Sequence, residues 1–289
     1  MDKSKTTEVD SKWGDPSPMH DPLILAHFTA RPTDVLITTG PKAGTTWMQQ
    51  ILYQLKSGGE DNFRSIETVV PWLERPRKNK TWSDMLDYYE SLENPRIFKT
   101  HCTYPQTPGV DVANIILTSR DPRDCCISHY HHLMNMTDQA YEEINIQRPT
   151  SFDNFFEQWM EFGAWYRNIS SWWPHKNKKN VLWLRYEDVK RDFESSVYKI
   201  LNHLNWQLAE DRRSKVFTHC SFAWMKKHSE KFSTFDDMQS SLFKKGTFIR
   251  RGEIGDHKNQ LNKQQEKQIL DRAKSELPAD CLAFLNLPD

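Results

Sequence analysis

Val35-Leu-Ile-Thr-Thr-Gly-Pro-Lys-Ala-Gly-Thr-Thr-Trp-Met-Gln-Gln-Ile-Leu52 joins a β-branched apolar run to an amphipathic pattern through a Gly-Pro break. The segment predicts a strand, a loop and a helix. The first backbone N–H groups of a helix entered through Gly44, Thr45 and Thr46 have no intrahelical partners and attract an anion. Lys42 adds a full positive charge. We therefore predict a phosphate or sulfate site, the alternative being an ordinary strand-turn-helix with an incidental lysine.

The position of the lysine distinguishes this loop from a Walker A motif. In Walker A, Lys directly follows the last Gly, and a Ser or Thr follows Lys to hold Mg²⁺. Here Lys42 precedes Gly44 by two positions, so the pattern does not imply a metal-nucleotide requirement. A P-loop kinase or nucleotide hydrolase stays open as an alternative, although no Walker B Asp is evident in the predicted strands.

Length and composition indicate one globular domain over residues 1–289. The chain has 289 residues, of which 37% are hydrophobic and 12% aromatic, enough to bury a large core. Basic and acidic residues balance at 39 each, which disfavours a nucleic-acid partner. No apolar stretch approaches the ~20 residues of a membrane span, and the N-terminus is too polar for a signal peptide. We expect a cytoplasmic protein without a membrane partner.

The cysteine and histidine patterns predict neither disulfides nor a metal site. The five cysteines form no CxxC pair, and adjacent Cys125-Cys126 suits neither a disulfide nor zinc. The cluster His129-Tyr-His131-His132 has no carboxylate or Cys at a complementary spacing. We expect reduced, packing thiols and no metal.

Strand-like and helix-like segments alternate along the chain after a polar start to about residue 33. An irregular section rich in Pro, Arg and Trp covers 71–82. Further strands are predicted at 96–100, 114–119 and 181–185. Further helices are predicted from Asp121-Pro122, where Asp caps the helix and Pro takes its first position, and over 151–173 and 192–204. This order predicts an α/β fold with a central, mostly parallel sheet flanked by helices and ligands at the carboxyl ends of strands.

A long segment near the C-terminus has the character of a functional loop. Residues from about 226 to 258 are mostly polar, lack steady periodicity and include Gly246, Gly252 and Gly255. Such a segment predicts a lid. Within it, Phe248-Ile-Arg-Arg-Gly252 places two guanidinium groups before a glycine whose neighbouring N–H groups can approach an anion. A solvated basic turn is the alternative.

Two further groups fall at the ends of predicted strands. In Lys99-Thr-His101, the histidine can accept a proton from an attacking hydroxyl, unless it is a surface or packing residue. Arg120 ends another strand, and Ser128 follows on the next helix. Together they can grip one phosphate, the alternative being a salt bridge from Arg120 to Asp121 or Asp124.

Together these segments resemble the cytosolic sulfotransferase family, whose members transfer a sulfuryl group from 3′-phosphoadenosine 5′-phosphosulfate (PAPS) to a hydroxyl or amine. The similarity covers nearly the whole chain. The family's phosphosulfate loop matches 41–47, and its Lys-Thr-His segment matches 99–101. Its 3′-phosphate segment matches Arg120 and Ser128, and its late Arg-Lys-Gly turn matches 250–252.

The resemblance implies a role for each matched residue and release of adenosine 3′,5′-bisphosphate (PAP), with no metal. His101 would be the general base, and Lys42 would neutralise charge on the leaving phosphate. Lys99 would help to stabilise the sulfuryl oxygens, unless it is a solvent-exposed strand-end lysine. The implied donor-binding residues are Lys42, Ala43, Gly44, Thr45, Thr46, Trp47, Arg120, Ser128, Tyr186, Cys220, Phe222, Phe248, Arg250, Arg251 and Gly252.

Some positions depart from the family pattern. Ala43 replaces a Ser whose hydroxyl is thought to pair with the loop lysine, so we expect altered donor hydrolysis or affinity. Gly40 stands where Tyr is usual, and Cys220 where Thr is frequent. The family's C-terminal dimer motif is degenerate at 258–267, which predicts a monomer or a weak homodimer. A silent PAPS-binding paralogue is a further alternative, which the intact His101 and Lys42 disfavour.

The sequence indicates the acceptor less clearly than it indicates the donor. Trp72, in Val70–Glu74, resembles a family residue that lines the acceptor pocket. Further candidates, for which packing is the alternative, are Trp82, Tyr104 and His132.

An acidic stretch at 138–143 lies where family members carry a loop over the acceptor. It includes Glu142 and Glu143. This charge favours a polar or cationic acceptor, such as an amine or guanidinium alkaloid, over a steroid or fatty alcohol, the alternative being a solvated acidic loop. A phenol or an alcohol stays open as the acceptor. O-sulfation and N-sulfation both stay open.

Overall fold

The computed structural model describes residues 10–235, 237 and 241–288. Four strands of this part form one parallel sheet in the order β2-β1-β3-β4. The strands are β1 (Val35–Thr38), β2 (Ile97–Thr100), β3 (Asn114–Ser119) and β4 (Val181–Arg185). Each matches a predicted strand, and the predicted α/β fold is confirmed.

Helices flank the sheet and connect its strands. The described α-helices are α1 (Pro22–His27), α2 (Thr45–Ser57), α3 (Ile66–Val69), α4 (Trp82–Ser91), α5 (Pro122–Met134), α6 (Asp138–Glu143), α7 (Phe152–Phe162), α8 (Ala164–Trp172), α9 (Tyr186–Arg191), α10 (Phe193–Leu204), α11 (Glu210–His219), α12 (Phe222–Lys227), α13 (Glu230–Ser233), α14 (Lys263–Glu276) and α15 (Ala279–Leu285). Short 3₁₀ helices lie at Ser11–Trp13, Trp173–His175 and Asp256–Asn259. No described helix has the length and apolar character needed to cross a membrane.

Parallel pairing brings the ends of all four strands to one edge of the sheet. Thr38 pairs with Thr100 across β1 and β2, and Ser119 pairs with Arg185 across β3 and β4. The residues that directly follow the strands therefore gather at that edge. This is the place where ligands bind in open α/β sheets.

Both faces of the sheet are covered, so β1 is apolar at consecutive positions. Val35, Leu36 and Ile37 are fully buried. Val35 and Ile37 pack in the cluster that contains apolar residues of α2, whereas Leu36 packs with Ile24 and Leu25 of α1. Continuous burial of this kind is typical of parallel sheets with helices on both faces.

The helix predicted over 151–173 is divided into α7 and α8. Gly163 ends α7 in a left-handed conformation, with φ of 57°, and donates its N–H to Trp159 O at 3.0 Å. An added Cβ at Gly163 would lie 2.3 Å from the guanidinium of Arg272. Glycine suits the left-handed backbone here, and the end of the Arg272 side chain packs against it.

The segment predicted as a polar start to about residue 33 contains a buried helix. Asp21 caps α1 by accepting a hydrogen bond from Leu23 N, with Pro22 in the first helical position. Ile24 and Leu25 of this helix are fully buried. The absence of a signal peptide was predicted from the extreme N-terminus. Residues 1–9 of that segment lie outside the part of the chain that the structure describes.

The predicted lid, residues 226–258, is held against the end of α5 in its described part. Thr137 N donates to Leu242 O at 3.0 Å, and Lys244 N donates to Asn135 O at 2.9 Å. Residues 236 and 238–240 of this segment lie outside the described part. Its movement as a lid stays a prediction, as does the single-domain assignment.

Candidate active site

The loop after β1 has the conformation that an anion-binding turn requires. Lys42 and Gly44 both have positive φ, 65° and 98°, and α2 begins at Thr45. A Cβ on Gly44 would lie 2.9 Å from the Tyr186 ring, so only glycine fits. Thr118 of β3 donates its hydroxyl to Ala43 O at 2.9 Å, which ties the loop to the sheet. The N-terminus of α2 is thus set at the carboxyl edge of the strands.

A cavity of about 1300 Å³ lies at this edge. Its lining includes most of the residues predicted to form the site: Lys42, Gly44, Thr45, Thr46, Trp47, Trp72, Lys99, His101, Arg120, Ser128, His132, Tyr186, Cys220, Phe222, Phe248, Arg250, Arg251 and Gly252. Ala43 is fully buried in the cluster of Cys125 and Cys126 and does not line the cavity.

His101 is held in one tautomer by its hydrogen bonds. Its Nδ1 lies 2.7 Å from Thr39 O, and a carbonyl only accepts, so Nδ1 carries the proton and Nε2 keeps the lone pair. Its backbone N–H donates to buried Glu74 at 2.9 Å. Burial, with Lys99 and Lys42 nearby, lowers the pKa of His101 to about 3. The ring is therefore neutral at physiological pH, and its Nε2, which has no hydrogen-bond partner in the described part of the chain, can accept a proton.

Lys99 is not the solvent-exposed strand-end lysine that the sequence left open. Its Nζ lies 3.7 Å from Glu67 Oε1 and 3.9 Å from the Trp72 ring centroid. Burial lowers the pKa of Lys99, against the opposing effect of Glu67. Trp72 also meets the His101 ring edge to face at 5.2 Å, so it packs against both residues.

Lys42 contacts a histidine and lies among cations. Its Nζ is 2.9 Å from His132 Nδ1. Burial lowers the pKa of Lys42 to about 7, and the charges of Lys99, Arg120 and Arg250 act in the same direction. An anion placed among these groups would reverse that effect and favour the charged lysine.

Arg120 is a buried cation whose recorded hydrogen bonds within the described residues all come from Nη2. Its Nη2 donates to Glu253 O at 2.7 Å and lies 3.4 Å from Asp124, so the salt bridge that the sequence left open is present. The guanidinium carbon lies 4.6 Å from the Tyr186 ring centroid. Nε is buried without a partner among the described residues. A buried donor of this kind indicates a missing acceptor.

The turn formed by Arg250, Arg251 and Gly252 lies on the same cavity. Both arginines are paired with buried Asp256. Gly252 has φ of 62°, and a Cβ there would lie 2.9 Å from Phe222. The turn is thereby held close to an aromatic ring.

Aromatic side chains form another part of the cavity lining. Trp47 donates its Nε1 to Cys220 O at 2.8 Å and meets Tyr186 edge to face at 5.5 Å. Tyr186 donates its hydroxyl to Gly252 O at 3.1 Å. Phe222 remains 44% exposed although it lines the cavity. Such surfaces suit a flat heterocycle.

Four predicted acceptor residues do not line the cavity: Trp82, Tyr104, Glu142 and Glu143. Trp82 stacks on His27 at 4.4 Å, and Tyr104 stacks on His175 at 3.3 Å. Glu142 is exposed, and Glu143 lies 3.5 Å from Lys78. These aromatic rings pack against histidines, Glu142 lies on the outer surface, and the half-buried Glu143 faces Lys78.

An apolar wall that the sequence did not predict lines another part of the cavity. It consists of Met19, Leu133, Met136, Ile144, Leu242 and Phe243. The wall forms because Met136 and Phe243 pair through an isolated antiparallel bridge, a contact between distant segments. Thr39 and Glu74, which hold His101, were also missed.

The histidines of α5 do not converge on one point. His131 bonds to Gln260 at 2.8 Å, whereas His132 contacts Lys42. Among the described residues, no group of three His, Cys, Asp or Glu side chains is arranged to hold a metal ion.

Known proteins with similar sequences identify the family. Residues 32–278 match the family model described as the sulfotransferase domain. Rat sulfotransferase 1A1 is 32% identical over 89% of this chain and 88% of its own length. Mouse sulfotransferase 1 family member D1 is 30% identical over 84% of this chain and 82% of its own. The chain therefore belongs to the sulfotransferase family.

Solved structures share the fold. Mouse sulfotransferase SULT7A1, complexed with PAP, superimposes with a TM-score of 0.69 at 22% identity, covering 93% of this chain and 94% of that one. Retinol dehydratase, in complex with androsterone and PAP, gives a TM-score of 0.63 at 19% identity, covering 90% and 84%.

Proposed function

We propose that this chain transfers the sulfuryl group of PAPS to a hydroxyl or amine of a small-molecule acceptor. The observation that carries the proposal is the neutral His101, whose Nε2 is free to accept a proton in the cavity that Lys42 and Arg120 also line. Family membership favours sulfuryl transfer over the kinase or hydrolase alternative. The PAP bound in the two structural neighbours supports the choice of donor.

The residues present fit such a donor. The unpaired Nε of Arg120 and the depressed pKa of Lys42 both fit a site that binds an anion. Lys42, Thr45 and Thr46 would hold the 5′-phosphosulfate at the start of α2. The proposed 3′-phosphate ligands are Arg120, Ser128, Arg250, Arg251 and Gly252. Trp47, Tyr186 and Phe222 would contact adenine.

The proposed chemistry is an in-line displacement at sulfur. PAPS supplies an activated sulfuryl group. His101 accepts at Nε2 the proton that the acceptor loses as its oxygen or nitrogen attacks sulfur, while the bond from sulfur to the bridging oxygen breaks. Lys42 neutralises the charge that develops on that oxygen, which leaves with PAP, and Lys99 is placed to stabilise the sulfuryl oxygens.

The apolar wall favours an acceptor with an apolar body, such as a phenol or an alcohol. Burial of apolar surface against Leu133, Met136 and Phe243 would supply much of the binding energy. The cationic-acceptor hypothesis loses its support, because Glu142 and Glu143 do not line the cavity. Amines remain in the test as an alternative acceptor.

The direct test is PAP formation from PAPS with a panel of phenols, alcohols and cationic amines, in the presence of a metal chelator. Sulfation of one phenol or alcohol by the wild type, and its loss in His101→Ala, would support the proposal. Tight PAP binding without turnover for any acceptor would favour the silent paralogue. A strict requirement for Mg²⁺ would favour the kinase-like alternative.

A further inference from the structure

His132 connects the loop that carries Lys42 with the apolar wall. It lies on α5, one turn beyond Ser128, and its Nδ1 is 2.9 Å from Lys42 Nζ. Its ring centroid lies 4.6 Å from that of Phe243 and 5.9 Å from that of Phe248. One imidazole thus contacts the proposed donor and acceptor sides of the cavity.

The chemistry of the two groups sets the direction of the Lys42–His132 hydrogen bond. When Lys42 is charged, its ammonium has N–H donors and no acceptor, so Nδ1 of His132 holds the lone pair and Nε2 carries the proton. Burial, followed by the charge of Lys42, lowers the pKa of His132 well below its usual range. The ring therefore stays neutral and remains an acceptor for Lys42.

Few other contacts fix the direction of the Lys42 ammonium. No other hydrogen bond from its Nζ is found among the described residues. Ala43 has no hydroxyl and is fully buried, so the adjacent residue offers no side-chain acceptor. Without His132, the ammonium would end a flexible side chain with no fixed direction.

Resting on the function proposed above, we propose that His132 is a positioning residue that orients the Lys42 ammonium toward the bridging oxygen at which the sulfuryl group departs. One N–H of the ammonium is held by His132, and the other two are left for phosphate and bridging oxygens. The role belongs to this chain's own His132–Lys42 pair.

The surrounding charges explain why a neutral acceptor suits this place. The titratable groups around Lys42 come from several elements: Lys99 within β2, His101 after β2, Arg120 after β3, Cys125, His129 and His132 on α5, and Arg250 on the late turn. A carboxylate would cancel the charge that Lys42 needs for catalysis. An imidazole lone pair fixes the direction of Lys42 and leaves its charge intact.

A pair of substitutions separates hydrogen bonding from packing. His132→Phe keeps a ring against Phe243 and Phe248 but removes the acceptor, whereas His132→Asn places Oδ1 close to the position of Nδ1. His131→Leu is the matched control, because His131 lies on the same helix, bonds to Gln260 and does not line the cavity. A cooperative thermal unfolding transition is the criterion that each variant is folded. If His132→Phe does not meet it, His132→Leu is used in its place.

Two readouts are used: the pH dependence of PAP binding by calorimetry, and kcat and acceptor KM with PAPS. In the wild type we expect PAP affinity to fall as pH rises past about 7, the pKa of Lys42 in the free protein. In His132→Phe we expect the midpoint of this fall at lower pH, since the ammonium has lost its acceptor. We also expect kcat to fall on the order of 10- to 100-fold with little change in acceptor KM. His132→Asn restores both properties.

The outcomes separate this inference from the proposed function. Failure of the wild type to bind PAP would overturn the proposed function, whatever the variants do. Wild-type PAP binding together with an unchanged midpoint and kcat in His132→Phe would overturn the role of His132. If His132→Phe shifts the midpoint and lowers kcat, and His132→Asn recovers neither, the effect is due to packing. That result would also overturn the proposed role of His132.

Discussion

Asp124 accepts two hydrogen bonds from His257, one from the backbone N–H at 3.1 Å and one from Nδ1 at 2.8 Å. Its other oxygen accepts the Gly255 N–H at 2.8 Å. Since Asp124 lies on α5 and His257 follows the turn at 250–252, these bonds join the two halves of the proposed 3′-phosphate site. The bonds, with the charge of Arg120, lower the pKa of Asp124 to about 2, against the effect of burial.

Asp124→Asn should weaken PAP binding by detaching this turn. A carboxylate that accepts several hydrogen bonds contributes roughly 1.5–3 kcal/mol per charged bond, so we expect the PAP Kd to rise about tenfold or more, measured by calorimetry. Asp138→Asn is the control, because that exposed carboxylate pairs with Arg148 on the surface. Equal PAP affinity in the Asp124 variant and the wild type would contradict the joining role.

Lys42 should take up protons when PAP binds. Its pKa of about 7 leaves it largely neutral above that pH. An anion stabilises the charged form and raises the pKa, so binding at pH 8 should be accompanied by proton uptake and should weaken as pH rises. Calorimetry in two buffers with different ionisation enthalpies measures this uptake.

The matched variant for this experiment is Lys42→Arg. Arginine keeps its proton at these pH values, so its binding reaction should lose the uptake that belongs to residue 42. Undiminished uptake in the arginine variant would assign the protons to another group.

His101→Ala should abolish most turnover while PAP binding survives. A positioned general base contributes on the order of 10²- to 10⁴-fold to the rate, and His101 is not among the proposed phosphate ligands. Sulfuryl transfer and PAP affinity are measured on the same preparation, with His175→Ala as a control, since His175 stacks on Tyr104 and does not line the cavity. Retained activity in His101→Ala would rule out this base.

Gly44→Ala should destabilise the protein and weaken PAP binding more than Gly246→Ala does. The left-handed backbone at Gly44 costs an alanine roughly 1–3 kcal/mol, and the new Cβ would also meet Tyr186 at 2.9 Å. Gly246 has a similar φ of 72° with no atom within 4 Å of an added Cβ. We expect Gly44→Ala to lower the thermal midpoint and PAP affinity well beyond Gly246→Ala. Equal effects would show that the Tyr186 contact is unimportant.

The features predictable from the sequence are local. β3 was predicted at its observed bounds, and Asp121-Pro122 starts α5 as predicted. His101 and Arg120 could be placed near Lys42 because the carboxyl ends of parallel strands meet at one edge.

The features that the sequence did not predict depend on distant contacts. The Arg272 side chain of α14, more than 100 positions along the chain, packs against Gly163, where the predicted helix is broken. The Lys42–His132 bond also joins distant segments. Trp82 and Tyr104 were proposed as acceptor contacts by chain position, yet their partners are histidines away from the cavity lining. Residue type and spacing alone do not distinguish such packing from a binding role.

The most direct measurement compares dissociation constants for PAP, adenosine 5′-phosphate and ATP by calorimetry in the presence of a metal chelator. The central claim is a donor site with a second phosphate pocket at Arg120 and the turn at 250–252. We predict that PAP binds much more tightly than adenosine 5′-phosphate and that ATP does not match it. Equal affinity for PAP and adenosine 5′-phosphate, or tightest binding of ATP, would contradict the claim.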